Sequence, residues 1–175
     1  MMKFSTAIKF AAILSVVALA GCAEKPKAVP QAPPAPPAAA APAQVKTSSI
    51  VPGSAEDLSV NVGDTVHFAY NSAALDSTAK ATLQRQAAWL QKYPAVTVQV
   101  QGNCDPRGTR EYNLALGARR ASAAKEFLVS LGVSPARIDT ISYGKERPVC
   151  AESNASCWAK DRRDVTVITH GGATS

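Results

Sequence analysis

Two rhythms of apolar and polar residues run through the chain between Leu58 and Thr169. Val96, Val98 and Val100 alternate with Thr97, Gln99 and Gln101, the period of two that predicts a strand with one buried face. Val60, Val62, and Thr65 through Tyr70 predict an earlier strand, which Asn71-Ser72 breaks. After Asp76-Ser77 the spacing turns helical, with Ala79, Leu83 and Trp89-Leu90 on one face until Tyr93-Pro94 ends the run. A second helix reaches Ser130 or Leu131, with Ala121, Ala124, Phe127, Leu128 and Leu131 on its apolar stripe and Gly132 as its left-handed cap. Two starts are open to it: Thr109 can cap a short turn through Asn113, and Gly117 can cap the long helix. Ile138, Thr140 and Ser142-Tyr143 predict a third strand, and Val165, Val167 and Ile168 a fourth, with a short helical turn around Trp158 to Arg162. The order is β-α-β-α-β-β, one α/β domain of ordinary size over residues 58–170, followed by a tail at 171–175.

The first part of the chain follows other rules. Lys3 and Lys9 precede an apolar run from Phe10 through Ala20 that ends in Leu19-Ala20-Gly21-Cys22. Crossing a bilayer core takes about 20 apolar residues, so residues 1–21 read as a signal peptide and not as a span. Leu-Ala-Gly-Cys resembles the bacterial lipobox, which implies that Cys22 begins the mature chain and carries a diacylglyceryl thioether and an N-acyl chain such as palmitate. Each buried methylene contributes about 0.8 kcal/mol, and two or more chains hold a protein on a membrane where one does so marginally. Residues 22–57 then hold eight of the twelve prolines, including Pro33-Pro34-Ala35-Pro36-Pro37. That composition predicts a disordered, semi-rigid tether, with a reach on the order of 100 Å if fully extended.

Charge and cysteine content narrow the classes. The formal charge is +6, and loss of residues 1–21 removes Lys3 and Lys9 and no acid, leaving a mildly basic chain without the dense basic and aromatic patch of a nucleic-acid binder. Three cysteines remain besides Cys22, and an exported chain meets an oxidising compartment. Cys150 and Cys157 flank the polar loop 151–156; a local disulfide between them is the preferred pairing, with stabilisation at the low end of about 2–4 kcal/mol and Cys104 left as a buried thiol. His67 and His170 lie far apart, and no metal-ligand spacing or cofactor motif appears.

The densest chemistry lies in Gly102-Asn103-Cys104-Asp105-Pro106-Arg107-Gly108-Thr109-Arg110-Glu111-Tyr112-Asn113-Leu114-Ala115-Leu116-Gly117-Ala118-Arg119-Arg120-Ala121. An acid and an arginine stand around a strand-to-helix loop, the edge at which α/β sheets commonly take ligands. This segment resembles the peptidoglycan-binding signature of OmpA-like domains and, within them, of the peptidoglycan-associated lipoproteins. The resemblance spans about residues 60–170. It implies an α/β two-layer sandwich with a mixed four-stranded sheet and helices on one face, and a pocket for meso-diaminopimelate of the peptidoglycan stem peptide. Asp105 and Arg120 match the two charged residues of that pocket: the acid accepts from the ammonium, and the planar guanidinium grips the carboxylate through two parallel N–H bonds. If Gly117 caps the helix, Arg120 also lies among its free N–H groups. Asn113 matches a polar residue of the same pocket, and Tyr70-Asn71-Ser72 aligns with a Phe-Asp-Ser-like segment bordering it. Asn71 departs from the usual Asp and so lacks its charge. Asn103 and Pro106 replace the His and Glu of many relatives. Arg162-Arg163 resembles the closing Arg-Arg, where Arg162 frames the pocket or pairs, with Arg163, to Asp161 and Asp164.

The resemblance also implies an outer-membrane location, since Ala23 replaces the Asp that favours inner-membrane retention in enterobacterial relatives. It further implies partnership with the periplasmic propeller protein TolB, by mutually exclusive binding, in the Tol-Pal system of envelope integrity and cell division. An OmpA-like wall-binding lipoprotein without Tol partners is the alternative. The residues argue for binding over catalysis. Asp105 and Glu111 are the one carboxylate pair near the loop, an arginine there holds a carboxylate ionised, and neither histidine nor a nucleophile elbow falls in the motif.

Overall fold

The architecture is described by a computed structural model over residues 50–174; the signal peptide at 1–21, Cys22 and the tether through residue 49 lie outside the described residues. Strand β2, Thr97–Asn103, is the axis of the fold. It pairs in parallel with β3, Ile138–Gly144, and antiparallel with β4, Arg163–His170, while β1, Thr65–His67, closes the other edge against β4. The sheet order β1-β4-β2-β3 is therefore mixed. Helices α2, Ser77–Lys92, and α3, Arg110–Ser130, join the strands and pack on the face that carries Val98 and Val100. Asp76 caps α2 by accepting from Ala79 N at 2.7 Å. Leu83, Leu90, Ala121, Ala124 and Leu128 meet Val96, Val98, Val100 and Ile138 in one core, each large aliphatic side chain contributing about 1.5–3 kcal/mol by leaving water.

The first expected strand forms only at Thr65–His67, and its start is corrected. Residues 58–62 form a wide helical turn instead, after a short helix α1 at Ala55–Asp57. Ser54 caps it through its hydroxyl, and Asp57 accepts from Gly53 N and Trp89 Nε1, both at 2.8 Å, and from Asn61 Nδ2. These polar bonds outweigh the period of two at Val60 and Val62, and Val60 is exposed. Residues 53–57 thus pack on the domain, earlier than the expected boundary at 58. On the other side Ala173 N donates to Gly53 O at 3.1 Å. A Cβ on Gly171 would overlap the Ala95 carbonyl. Gly53, Ala95 and residues 171–173 therefore meet at the start of β2, the end opposite Asn103.

The long helix is unbroken from Arg110, and its cap is Thr109, which accepts from Tyr112 N at 3.2 Å. Gly117 lies inside the helix, where close packing explains it. A Cβ on Gly102 would overlap the Gly117 carbonyl, and one on Gly117 would overlap Ser142 Oγ. The paired glycines let α3 lie almost on the end of β2. We expect Gly102→Ala to cost about 1–3 kcal/mol or more, the range for forced overpacking, read as a lower urea midpoint with an unchanged slope.

Candidate functional site

Beyond Asn103 the chain leaves the sheet. Cys104 N still donates to Gly144 O at 2.7 Å, and then a tight loop with Gly108 at φ 87° turns into α3. Asn113, almost fully buried, fixes that loop by donating from Nδ2 to Arg107 O at 2.8 Å and Thr109 O at 2.9 Å. Lys145 Nζ donates to Gly108 O at 2.7 Å from the far side. Between this loop and the end of β1 lies a cavity of about 230 Å³, lined among others by Tyr70, Asn71, Asp105, Arg107, Tyr112 and Arg120.

Asp105 is 4% exposed. Its Oδ1 accepts from Arg107 N and Nε at 3.2 and 2.9 Å, and its Oδ2 from Arg107 Nη2 at 2.6 Å and Arg162 Nη1 at 3.3 Å. Burial alone would push the carboxyl up, but the Arg107 bonds and charge, with Arg162, outweigh it and hold the group below its ordinary value. Arg107 itself lies between two aromatic faces, 4.0 Å from the Tyr70 ring centroid and 4.2 Å from that of Trp158. Trp158 comes from α4, Ala155–Asp161. That helix is held in place by the Cys150–Cys157 disulfide and by Asp161 Oδ1, which accepts from Val149 N and Cys150 N.

Arg120 occupies a different place from the one expected. It is fully buried, about three turns into α3, away from the free N–H groups of the helix start. Nε donates to Ser72 O at 2.8 Å, Nη1 to Asn103 O at 2.9 Å and to Cys104 Sγ at 3.5 Å, and Nη2 to Ala69 O at 3.0 Å. A guanidinium has five N–H donors, so one Nη2 N–H remains. A two-bond grip on a ligand carboxylate needs two, and that expectation is corrected: Arg120 knits the Ala69–Ser72 segment to the end of β2. Burial lowers its pKa, against the raising charges of Cys104 and Asp164.

The other expected residues divide. Tyr70 is exposed at the cavity rim, and Asn71, at φ 53°, accepts from Tyr112 OH through Oδ1. Arg162 reaches Asp105 and also donates from Nε to Phe68 O at 3.0 Å, bracing the acid from behind. Of the two alternatives for Arg162-Arg163, pairing with the Asp161 and Asp164 carboxylates does not form: Arg163 donates to the carbonyls of Asp161 and Arg147, and both Asp164 carboxylate oxygens are buried without a hydrogen-bond partner. Burial drives the Asp164 carboxyl up to about 8, with Arg120 pulling the other way. Arg107, Tyr112 and Trp158 are the contributors that the sequence reading passed over. Arg107, two residues beyond an acid in a loop, carried a signal in its spacing; Trp158, from a helix some fifty residues on, carried none. Among the described residues no group of three His, Cys, Asp or Glu is placed to hold a metal.

Comparison with known proteins gives the family. The model of the OmpA family matches residues 67–162. The chain is 47% identical over 162 residues to the peptidoglycan-associated lipoprotein of Mesorhizobium japonicum, covering 93% of this chain and 92% of that one. It is 49% identical to that of Rhizobium meliloti, covering 94% and 88%. Among solved structures it is similar to the peptidoglycan-associated lipoprotein of Burkholderia pseudomallei, at TM-score 0.59 and 40% identity over 61% of this chain and 90% of that one. It is also similar to the C-terminal domain of Helicobacter pylori MotB, at TM-score 0.58 and 25% identity over 61% and 84%. The chain belongs to the OmpA family and, within it, to the peptidoglycan-associated lipoproteins.

Two outcomes test the site. Arg120→Ala strands the Ala69, Ser72 and Asn103 carbonyls; with about 1–3 kcal/mol for each buried acceptor left unsatisfied, the variant is expected to lose most of its cooperative urea transition. The second concerns pH. The folded Asp164 carboxyl holds its proton up to about pH 8, whereas the unfolded chain has already lost it above the ordinary carboxylate range. The folded state therefore binds more protons across that window, and this group's part of the stability falls as pH rises through it. Urea titrations at pH 5, 7 and 9 are expected to show that decline in the parent chain and a flatter profile in Asp164→Asn.

Proposed function

We propose that the chain is an outer-membrane lipoprotein, acylated at Cys22, that holds peptidoglycan non-covalently by the meso-diaminopimelate of its stem peptides. The observation that carries this reading is the set of opposite charges in one small cavity: the ionised Asp105, the half-exposed guanidinium of Arg107 and the last free N–H of Arg120. Diaminopimelate ends in an ammonium and a carboxylate on one carbon. Asp105 takes the ammonium along the edge that Arg107 occupies in the free domain, and the displaced Arg107, with Arg120, takes the carboxylate. Tyr70 and Tyr112 flank the aliphatic stem of the ligand, with Asn113 holding the loop. The names of the relatives, which describe lipoproteins associated with peptidoglycan, support peptidoglycan as the polymer held.

Binding without turnover fits the electrostatics. A carboxyl held below its ordinary value by two arginines is suited to keep a cation and poorly suited to deliver a proton. Glu111 is exposed on the first turn of α3. A TolB-like protein competing for the cavity rim, where Tyr70 is exposed, would make the attachment switchable during envelope constriction and division. An OmpA-like wall anchor without that partner is separated from this reading by testing whether TolB displaces the stem peptide.

The test is calorimetric titration of residues 50–175, which hold the whole described fold, with an N-acetylated stem peptide ending in meso-diaminopimelate. The parent is expected to bind and Asp105→Ala to lose about 30-fold or more, the scale of about 2–5 kcal/mol for truncating one partner of a buried charge pair. Arg107→Ala is expected to weaken the carboxylate-bearing peptide more than its amidated analogue. Absence of binding by the folded parent, or release of fragments from purified sacculi, would overturn the proposal.

A further inference from the structure

Behind the cavity lies a buried carboxyl, that of Asp164, which the binding reading leaves unused. Asp164 sits in β4, on the face that carries the core, between Val66 of β1 and Gly102 of β2. It is 1% exposed, and neither carboxylate oxygen has a hydrogen-bond partner. Neither strand neighbour carries charge. From α3 and the loop before it, the titratable and charged groups acting in this region are Arg120, Cys104 and Asp105, with Arg162 beside them on the chain leading into β4. Arg120 reaches both sides: its guanidinium lines the cavity, and its charge is the one that acts on Asp164.

A buried carboxylate with no donor is costly when ionised and much less so when protonated. We propose that Asp164 is a positioning residue of the pocket that acts through Arg120, so that the ligand's carboxylate, arriving on the cavity side, is accompanied by a proton taken up at Asp164. With Asp164 neutral, the full charge of Arg120 faces the cavity. With Asp164 ionised, two anions compete for one guanidinium. The coupling is reciprocal: a proton on Asp164 strengthens the hold on the carboxylate, and the carboxylate raises the proton affinity of Asp164. The free carboxyl titrates near pH 8, so affinity is set to fall as pH rises through that region. Cys104 does not duplicate the effect, because burial raises its thiol above the ordinary range.

This inference rests on the diaminopimelate reading of the cavity, and its test separates the two. The full chain in detergent micelles is titrated calorimetrically with the N-acetylated stem peptide at pH 6.5, 8 and 9, in paired buffers of different ionisation enthalpy, beside Asp164→Asn. The parent is expected to lose about fivefold or more in affinity across the range, the lower end of typical site-to-site coupling, and to take up a fraction of a proton per ligand at pH 8. The variant is expected to show a flatter profile and less uptake, any remainder being due to the ligand's own amine. Binding with the same pH profile and uptake in both chains overturns the coupling and leaves wall binding standing; no binding by the parent overturns both. Should Asp164→Asn fail to fold, the Asp164 carboxyl carbon in the unaltered chain decides the matter by NMR. Its titration midpoint moves up when peptide is added if the proposal holds, and stays in place if it does not.

Discussion

A guanidinium is tolerated out of water only where its N–H groups find acceptors, and Arg120 meets that condition by collecting carbonyls from two separate segments. Ala69 and Ser72 follow β1, and Asn103 ends β2. One side chain therefore fixes the distance between the two walls of the cavity, from a helix position that the Gly102–Gly117 contact draws down onto the sheet. The loop that carries Asp105 is built on this frame. Arg137 performs a related task at the other end, donating to the carbonyls of Leu90, Tyr93 and Val96 to join the end of α2 to the start of β2. Two buried or half-buried arginines thus pin opposite ends of the central strand.

The cavity chemistry follows from a division of labour among cations. Arg120 is committed to the backbone, Arg162 braces Asp105 and Phe68, and of these three Arg107 alone combines a carboxylate partner with substantial exposure. Its two aromatic faces hold it flat over the acid without using its N–H groups, which leaves the donor edge available for exchange. The disulfide loop enters the site indirectly, since it seats the short helix that supplies one of those faces.

Much of the fold was legible because its signals are local. The alternation at Val96, Val98 and Val100, the proline after Tyr93 and the cap at Gly132 each specify their own element. The turn at 58–62 was not legible, because the period of two in its valines competes with hydrogen bonds that Trp89 and Asn61 donate to Asp57, one of them from 32 residues away. The charged residues at 105 and 120 could be named from the sequence, but their division of roles could not. Whether an arginine faces a ligand or the backbone depends on where the carbonyls of residues 69, 72 and 103 come to lie, and that is a tertiary fact. Asp164 is similar: an acid beside two arginines reads as an ion pair, and only the register of β4 turns it inward.

The meeting of Gly53, Ala95 and residues 171–173 at the start of β2 has a mechanical consequence. The chain enters the domain at one end of the sheet, and the cavity that Asp105 lines lies just beyond the other. Tension between the entering chain and a ligand in that cavity would be directed along the strands, across the antiparallel β1–β4 and β2–β4 ladders, whose bonds stand perpendicular to them. Bonds loaded in this direction share the force and must slide together, whereas bonds peeled from an edge open one after another. The same connectivity that places the pocket far from Gly53 thus arranges the sheet to bear a steady pull in shear.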